Sequence, residues 1–451
     1  MTIYALSTPP GRGAIAIIRL SGSHTLKTVE KLTGKPVPEP RQATLRVLSD
    51  PKVGDPIDSG LVLFFQAPHS YTSEDMAELH IHGGVAIVDR ILEVLSGLED
   101  LRPAEPGEFT RLAVLNGRMD LTQAEAVADM IDAETMAQQK QAFRQMQGAL
   151  GELYEGWRKK LASSLAHLEA DIEFADEDLP GGIGQAVLGE VTLLNDEISA
   201  HIRDDRGRTL RHGVEVAIIG APNVGKSSLL NYLVGREAAI VSARAGTTRD
   251  IVEVSLTLGG VPVVLADTAG IREAGDEIER EGVRRALKRA SEADIRLHVT
   301  AFDTMVHADE IHSWEAHAEE ANFQESDIYV ANKQDLGATQ CPPNIPDGGF
   351  FEVSAETGAG MSDLIEALNA RIKENFGLAE RPALTRTRHR IALQAACVAL
   401  ERGLERAGSD MELELVAEDL RLAMREIGRI TGAVDVESLL DIVFRDFCIG
   451  K

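Results

Sequence analysis

The run Gly220-Ala-Pro-Asn-Val-Gly225-Lys226-Ser227 holds the residue types best suited to chemistry. It follows the apolar stretch Val214–Ile219 and precedes the amphipathic stretch Ser228–Leu233. Glycines between a strand and a helix let successive backbone N–H groups close around phosphate oxygens, and the helix N-terminus adds positive potential. Asn223, Val224 and Gly225 would line that cradle, with Ser228 in the first helical turn. Lys226 can reach β- and γ-phosphates, and the Ser227 hydroxyl can bind Mg2+. A chance glycine turn explains neither the Lys-Ser pair nor the flanks.

Four further motifs have matching chemistry. Asp267-Thr268-Ala269-Gly270 follows the apolar run Val261–Ala266, so Asp267 can hold Mg2+ through water and the Gly270 N–H can meet a γ-phosphate. Asn332-Lys333-Gln334-Asp335 follows Ile328–Ala331. A carboxylate at Asp335 accepts both the N1–H and the 2-amino proton of guanine, and adenine lacks that pair of donors. Ser354-Ala355-Glu356 follows Phe351–Val353 and offers a backbone N–H to the guanine carbonyl. Gly246-Thr247-Thr248-Arg249-Asp250 lies between the phosphate loop and Asp267, with Thr248 as the second Mg2+ hydroxyl. All five in order, each loop beside a strand, point to guanine-nucleotide hydrolysis.

The residue after Gly270 is Ile271, whose aliphatic side chain cannot orient an attacking water. Glu279, in Asp276-Glu-Ile-Glu279, is the candidate to do so, although by itself it reads as one of several solvated acids. No arginine finger is marked, since Arg244, Arg249 and Arg272 read equally as surface charges. A bound cation could supply the missing charge, and Asn223 is an oxygen donor within the phosphate loop. At the far end, Cys448-Ile-Gly-Lys451 places a thiol beside an amine that would lower its pKa; a buried small hydrophobe is the alternative.

The elements that must position these groups fall into three patterns. Residues 1–118 read as mixed α/β, with strand-like runs Ala14–Leu20 and Leu61–Gln66 and a helix over Val85–Leu98. Residues 119–212 read as long helices, broken at Pro180-Gly-Gly-Ile-Gly184, and residues 378–451 return to that pattern. Between them, residues 213–377 alternate strand and helix, with helices over Lys226–Val234, Glu281–Ala293 and Met361–Phe376, which predicts a doubly wound, mainly parallel sheet with its ligand at the strand carboxyl ends. The fold class is therefore multi-domain α/β plus all-α: an N-terminal α+β domain, then a helical domain interrupted by an inserted Ras-like α/β domain. Two arginine stretches, Arg203–His212 and Arg381–Arg390, each read alone as a solvated linker face, but they mark the crossing points, which an insertion would bring close together.

The net charge of −26 argues against broad non-specific nucleic-acid binding. No apolar run is long enough to span a bilayer, Met1–Leu20 has no signal layout, and three cysteines fit a reducing compartment. The expectation is a cytoplasmic protein without membrane contact.

With those motifs, the opening Thr8-Pro-Pro-Gly-Arg-Gly-Ala-Ile-Ala-Ile-Ile-Arg19, Glu78-Leu-His-Ile-His-Gly-Gly84, Leu115-Asn-Gly-Arg-Met-Asp-Leu-Thr-Gln-Ala-Glu-Ala126 and the terminal Cys-x-Gly-Lys, the whole chain resembles the MnmE (TrmE) family of tRNA-modification GTPases. The resemblance implies an N-terminal domain that binds a tetrahydrofolate one-carbon donor and forms a homodimer. It implies a flavoprotein partner, MnmG (GidA), in a heterotetramer in which only the partner carries FAD. Together they would install an aminomethyl-type group at C5 of the wobble uridine of certain tRNAs, with GTP hydrolysis promoted by K+. Carried over by motif, the folate contacts are Arg19, Glu78, Arg118 and Lys451. K+ would be held by Asn223 with Ser242, Arg244 and Thr247, in a loop whose nucleotide contacts run through Ser242, Ala243, Arg244, Ala245, Gly246, Thr247 and Thr248. Glu279 would orient water, Lys226 would stabilise the phosphates, and Cys448 would take part in the tRNA chemistry. Family members often have Lys where this chain has Arg118, which keeps the charge. Their K+ loop usually reads Thr-Asp-Ile-Ala-Gly; here it is Ser242-Ala-Arg-Ala-Gly246. The alternative is a regulatory or assembly GTPase switch, which needs neither the folate motifs nor Cys448.

Overall fold

A computed structural model describes residues 1–173, 183–220, 223–236, 253–267, 293–301, 327–337, 349–377, 382–407, 413–434, 436–444 and 447–450. The chain forms two compact units: Met1–Ala128 with Gln145–Ile198 and Ile391–Lys451, and Asp129–Arg144 with Ser199–Arg390.

In the first unit, β1 (Thr2–Leu6), β2 (Ile15–Ser21), β3 (Thr44–Ser49), β4 (Pro56–Phe65), β5 (Met76–His82) and β6 (Leu101–Pro103) form a 6-stranded sheet in the order β3-β4-β5-β2-β1-β6. Every pairing is antiparallel except β1 with β6. Side chains alternate across a strand. Ala16, Ile18 and Leu20 of β2 and Ala77, Leu79 and Ile81 of β5 therefore enter the core, where Val88, Ile91 and Leu95 of the helix Val85–Ser96 join them. The same alternation puts Arg19 and Glu78 on the opposite face, directly paired across β2 and β5.

The helices of this unit include Ala149–Glu173 and Leu413–Thr431, which pack together although the second unit's main segment lies between them in sequence. Leu413–Thr431 buries Val416, Leu420, Ala423, Ile427 and Ile430, a three- and four-residue stripe, and carries Glu414 in its first turn and Arg429 in its last, the charge order its dipole favours. Arg421 reaches Glu169 at 2.6 Å. The helical fold is thus built from both sides of an insertion, as expected.

In the second unit, β7 (Val214–Ile219), β8 (Glu253–Leu258), β9 (Val261–Asp267), β10 (Ile295–Ala301), β11 (Ile328–Asn332) and β12 (Phe350–Glu352) form a 6-stranded sheet ordered β12-β11-β10-β7-β9-β8. All pairs are parallel except the edge strand β8. Parallel strands covered on both faces read as continuous apolar runs, as Val216, Ile218, Leu297, Val299 and Val330 do here. Because β7 lies between β9 and β10, the chain leaves its carboxyl end at the topological switch point, where ligands of such sheets bind. The helix Met361–Phe376 has the bounds that its spacing predicts. The helix expected over 281–293 lies outside the described residues, apart from Ala293, which precedes β10.

The two arginine stretches converge on one acid. Arg211 Nε and Arg386 Nη2 both donate to Asp129 Oδ1, at 2.8 and 2.7 Å, and Arg390 Nη1 donates to the Ile202 carbonyl at 2.7 Å. The first stretch is not simply a linker: Arg206–His212 is a short helix. Among the described residues no helix is long and apolar enough to cross a membrane.

At the amino ends of β10 and β11, Arg296 Nε and Nη2 donate to the two oxygens of Asp327, each at 2.8 Å, with both side chains nearly buried. Removing one member takes the bidentate partner from the other's buried charge, which costs about 3–5 kcal/mol, whereas replacing both with apolar groups of similar volume costs far less. Asp327→Ala should lower the urea midpoint of the second unit accordingly, and Arg296→Met with Asp327→Leu should recover most of the loss.

Candidate functional site

The loop after β7 turns at Asn223, a non-glycine residue at φ 64, and continues through Gly225 at φ 96 into the helix Lys226–Arg236. Val224 is buried, so the loop is anchored on one side while Asn223, Ser227 and Ser228 are exposed on the other. Lys226 is 8% exposed and its Nζ donates to the Gly220 carbonyl at 2.8 Å, which holds the ammonium across the loop.

The base-recognition loops are tied to this cradle by one side chain. Asn332 is 2% exposed; its Nδ2 donates to the Val224 carbonyl at 3.0 Å and its Oδ1 accepts the Ala355 N–H at 3.1 Å. Gly225 is required by the same contact, because a Cβ there would run into the Asn332 amide. After Asn332, Lys333 adopts φ 63 and Gln334–Leu336 form one 3-10 turn, which leaves Asp335 exposed at the loop's tip. The Gln334 N–H donates to the Val353 carbonyl at 3.0 Å, and Ser354, 1% exposed, accepts the Thr357 N–H on its hydroxyl at 3.2 Å. The phosphate loop, the Asn332–Asp335 loop and the Ser354–Glu356 loop thus form one hydrogen-bonded assembly at the strand carboxyl ends.

Several expected residues fall outside the description: Ser242, Ala243, Arg244, Ala245, Gly246, Thr247, Thr248, Thr268, Ala269, Gly270, Glu279 and Lys451. Asp267 ends β9, and its side chain is also outside the described set.

The first unit holds a second candidate site. A cavity of about 450 Å³ is lined by Arg19, Glu78 and Arg118 together with aromatic and thioether side chains such as Tyr71 and Met76. Arg19 Nε and Nη2 donate to Glu78 Oε1 at 3.1 and 2.9 Å, while His80 Nε2 meets Glu78 Oε2 at 3.2 Å. The Arg19 guanidinium lies 5.5 Å from the Tyr71 ring centre and 5.7 Å from that of Phe109. Burial pushes the Tyr71 phenol above its ordinary pKa, against the lowering effects of its hydrogen bond to Thr110 and the nearby Arg19 charge. It stays protonated at neutral pH and pairs with the Thr110 hydroxyl at 2.8 Å.

The chain's end meets this sheet. The Gly107 N–H donates to the Cys448 carbonyl at 3.2 Å, Ile449 bridges to Pro106, and the Gly450 carbonyl accepts from Ser7 Oγ at 3.0 Å and Arg19 Nη1 at 3.4 Å. The terminal backbone therefore bonds to a residue of the cavity wall, and Cys448 itself is exposed. This favours an accessible thiol over the buried-hydrophobe alternative. Sequence reasoning missed Tyr71 and Arg41 in the cavity wall; neither stands in a motif, and both reach the cavity from loops outside the strands.

Asn332→Ala leaves the Val224 carbonyl and the Ala355 N–H without their buried partner, a cost of about 1–3 kcal/mol. Thermal unfolding of the second unit should show that loss, and Asn332→Asp, which sets a buried carboxylate against the Val224 carbonyl, should lose at least as much.

Comparison with known proteins adds the family. Residues 121–448 match a family model described as the MnmE helical domain, and residues 2–118 match one described as the GTP-binding protein TrmE N-terminus. Relatives named tRNA modification GTPase MnmE run the whole length. The Parvibaculum lavamentivorans protein is 52% identical over 451 residues, covering 100% of both chains. That of Paramagnetospirillum magneticum is 51% identical, covering 100% of this chain and 99% of its own, and that of Rhodospirillum rubrum is 50% identical with the same coverage. Matched along its length by the family's models and by relatives at about half identity, the chain belongs to the MnmE (TrmE) family of tRNA modification GTPases.

Proposed function

We propose that the chain is a K+-dependent GTPase that acts with a flavoprotein partner, MnmG, on the C5 position of the wobble uridine of certain tRNAs. The product carries an aminomethyl or carboxymethylaminomethyl group whose one-carbon unit comes from a tetrahydrofolate derivative. Residues 1–118 would bind the folate and form the homodimer, residues 119–212 and 378–451 the helical domain, and residues 213–377 the GTPase domain. The protein would work in the cytoplasm, in a heterotetramer whose FAD sits on the partner.

The observation that carries the reading is the bond set of Asn332. It ties a phosphate cradle and two base-recognition loops into one hydrogen-bonded assembly. Such preorganisation is what phosphoryl transfer needs, since its catalysis is positioning plus electrostatics. Asp335 would select guanine by accepting two of its protons. Lys226 would hold the β/γ-phosphates, Ser227 and Thr248 would offer hydroxyls, and Asp267 a water-mediated carboxylate, to Mg2+. Glu279 would orient water in place of the glutamine that Ile271 excludes. Gly225 leaves room for the Asn332 amide that braces the cradle, and exposed Asn223, at positive φ, would offer its amide oxygen to K+ with Ser242, Arg244 and Thr247. Mg2+ and K+, when bound, supply positive charge against the charge developing on the phosphoryl group. The folate cavity fits likewise: aromatic walls suit a flat ring, and Arg19, Glu78 and Arg118 offer polar anchors beside them, with Lys451 as the remaining contact.

Two measurements test this. GTP turnover should be markedly faster in K+ than in Na+ buffer at equal ionic strength; equal rates sink the K+ assignment. In cells whose only copy carries Cys448→Ser, the modified wobble uridine should fall well below wild type. Unchanged modification would remove Cys448 from the chemistry. Unchanged modification in cells lacking the protein altogether would favour a switch.

A further inference from the structure

The cavity of the first unit has a charge that its described walls do not balance. Arg19 is matched by Glu78, which takes two of its N–H groups on one oxygen. Arg41 and Arg118 also line the cavity, and neither has a carboxylate partner among the described residues. Glu78 is the sole acid in the lining among the described residues. Two unmatched guanidiniums remain, in a chain whose net charge is −26. An excess of cations gathered against that overall field, over low-dielectric walls, selects an anion.

Arg41 is also fixed in place. Its backbone is left-handed at φ 64, and its N–H donates to the Phe64 carbonyl at 2.7 Å. Its guanidinium donates Nη2 to the His69 carbonyl at 2.7 Å and sits 5.8 Å from the Phe65 ring centre. One of its five N–H donors is committed to a neutral carbonyl; the rest remain for a ligand, and a planar fork suits a carboxylate. A non-glycine residue at positive φ is costly and recurs at ligand clamps. Holding the side chain in advance lowers the entropy lost on binding.

We infer that Arg41 is a specificity-determining residue of this cavity, and that Arg41 and Arg118 form a dicarboxylate subsite for the glutamyl tail of the folate. The inference rests on the proposed folate reading and deepens it. The aromatic and thioether walls, including Phe65, Tyr71 and Met76, take the flat ring system; the unmatched cations take the α- and γ-carboxylates. The site therefore discriminates glutamylated folates from pterins that lack the tail.

The test measures binding to the full-length protein of tetrahydrofolate, its polyglutamylated form and 6-methyltetrahydropterin, which has the ring but no tail. Wild type should bind tetrahydrofolate more tightly than the pterin, with the difference shrinking as salt rises. Arg41→Gln should weaken tetrahydrofolate by about tenfold, the scale of one charge-assisted hydrogen bond, and leave pterin binding unchanged. Arg41→Lys should restore part of the loss. Tetrahydrofolate binding unaltered in Arg41→Gln overturns the subsite while the folate reading stands. Equal weakening of pterin and folate also overturns it, because Arg41 then shapes the cavity rather than reading the tail. Failure of the wild type to bind any of the three ligands overturns the folate reading and this inference together.

Discussion

The buried amide of Asn332 is the constraint on which the nucleotide-binding half of the molecule depends. Three loops leave the carboxyl ends of different strands, and nothing in their local sequence fixes one against another. A single side chain, donating to Val224 and accepting from Ala355, does so. In a site 2% exposed, water cannot replace either bond, so the geometry is held by the cost of leaving those groups unpaired. The same packing dictates Gly225, because the space a Cβ would need is occupied by the amide. A residue that reads in sequence as part of base recognition is, in the fold, also the keystone of the phosphate cradle.

The first unit uses a sheet for the same purpose. Antiparallel register sets Arg19 opposite Glu78, and the two-residue period keeps both off the core face on which Ile18 and Leu79 pair. The terminal segment docks beside this sheet, on Pro106, Gly107 and Ser7 of the adjoining loops. That contact joins the last residues of the chain to the first, and leaves the Cys448 side chain exposed while its backbone is held. The helical part of the unit depends on an equally distant closure, Ala149–Glu173 against Leu413–Thr431, across the inserted domain.

Legibility followed the strength of local signals. Met361–Phe376 was readable to the residue because five buried residues, Met361, Leu364, Ile365, Leu368 and Ile372, fall on one helical face before a glycine. The parallel strands were readable as apolar runs, with ends off by a residue or so. Strands β1, β3 and β6 and the helices Thr25–Thr33 and Glu108–Leu115 were not. Thr2–Leu6 is buried on both faces and shows no alternation, and β3 exposes Leu45 and Val47, which inverts the usual pattern. Arg206–His212 looked like a solvated basic stretch; it is a helical turn whose Arg211 is spent on Asp129.

By itself the sequence determined the motifs and their order. A phosphate loop works through backbone N–H groups within a few residues of one another, so residue type and spacing suffice to specify it. It also determined the interrupted helical fold, because hydrophobic period changes where the chain passes from helices to strands. Only the tertiary structure decided which charges are spent and which are free. Arg19, Arg211 and Arg386 are matched by Glu78 and Asp129, while Arg41 and Arg118 have no acidic partner among the described residues. Each of those outcomes joins residues far apart in the chain, and an ion pair exists only once strand register and helix docking have brought its partners within reach.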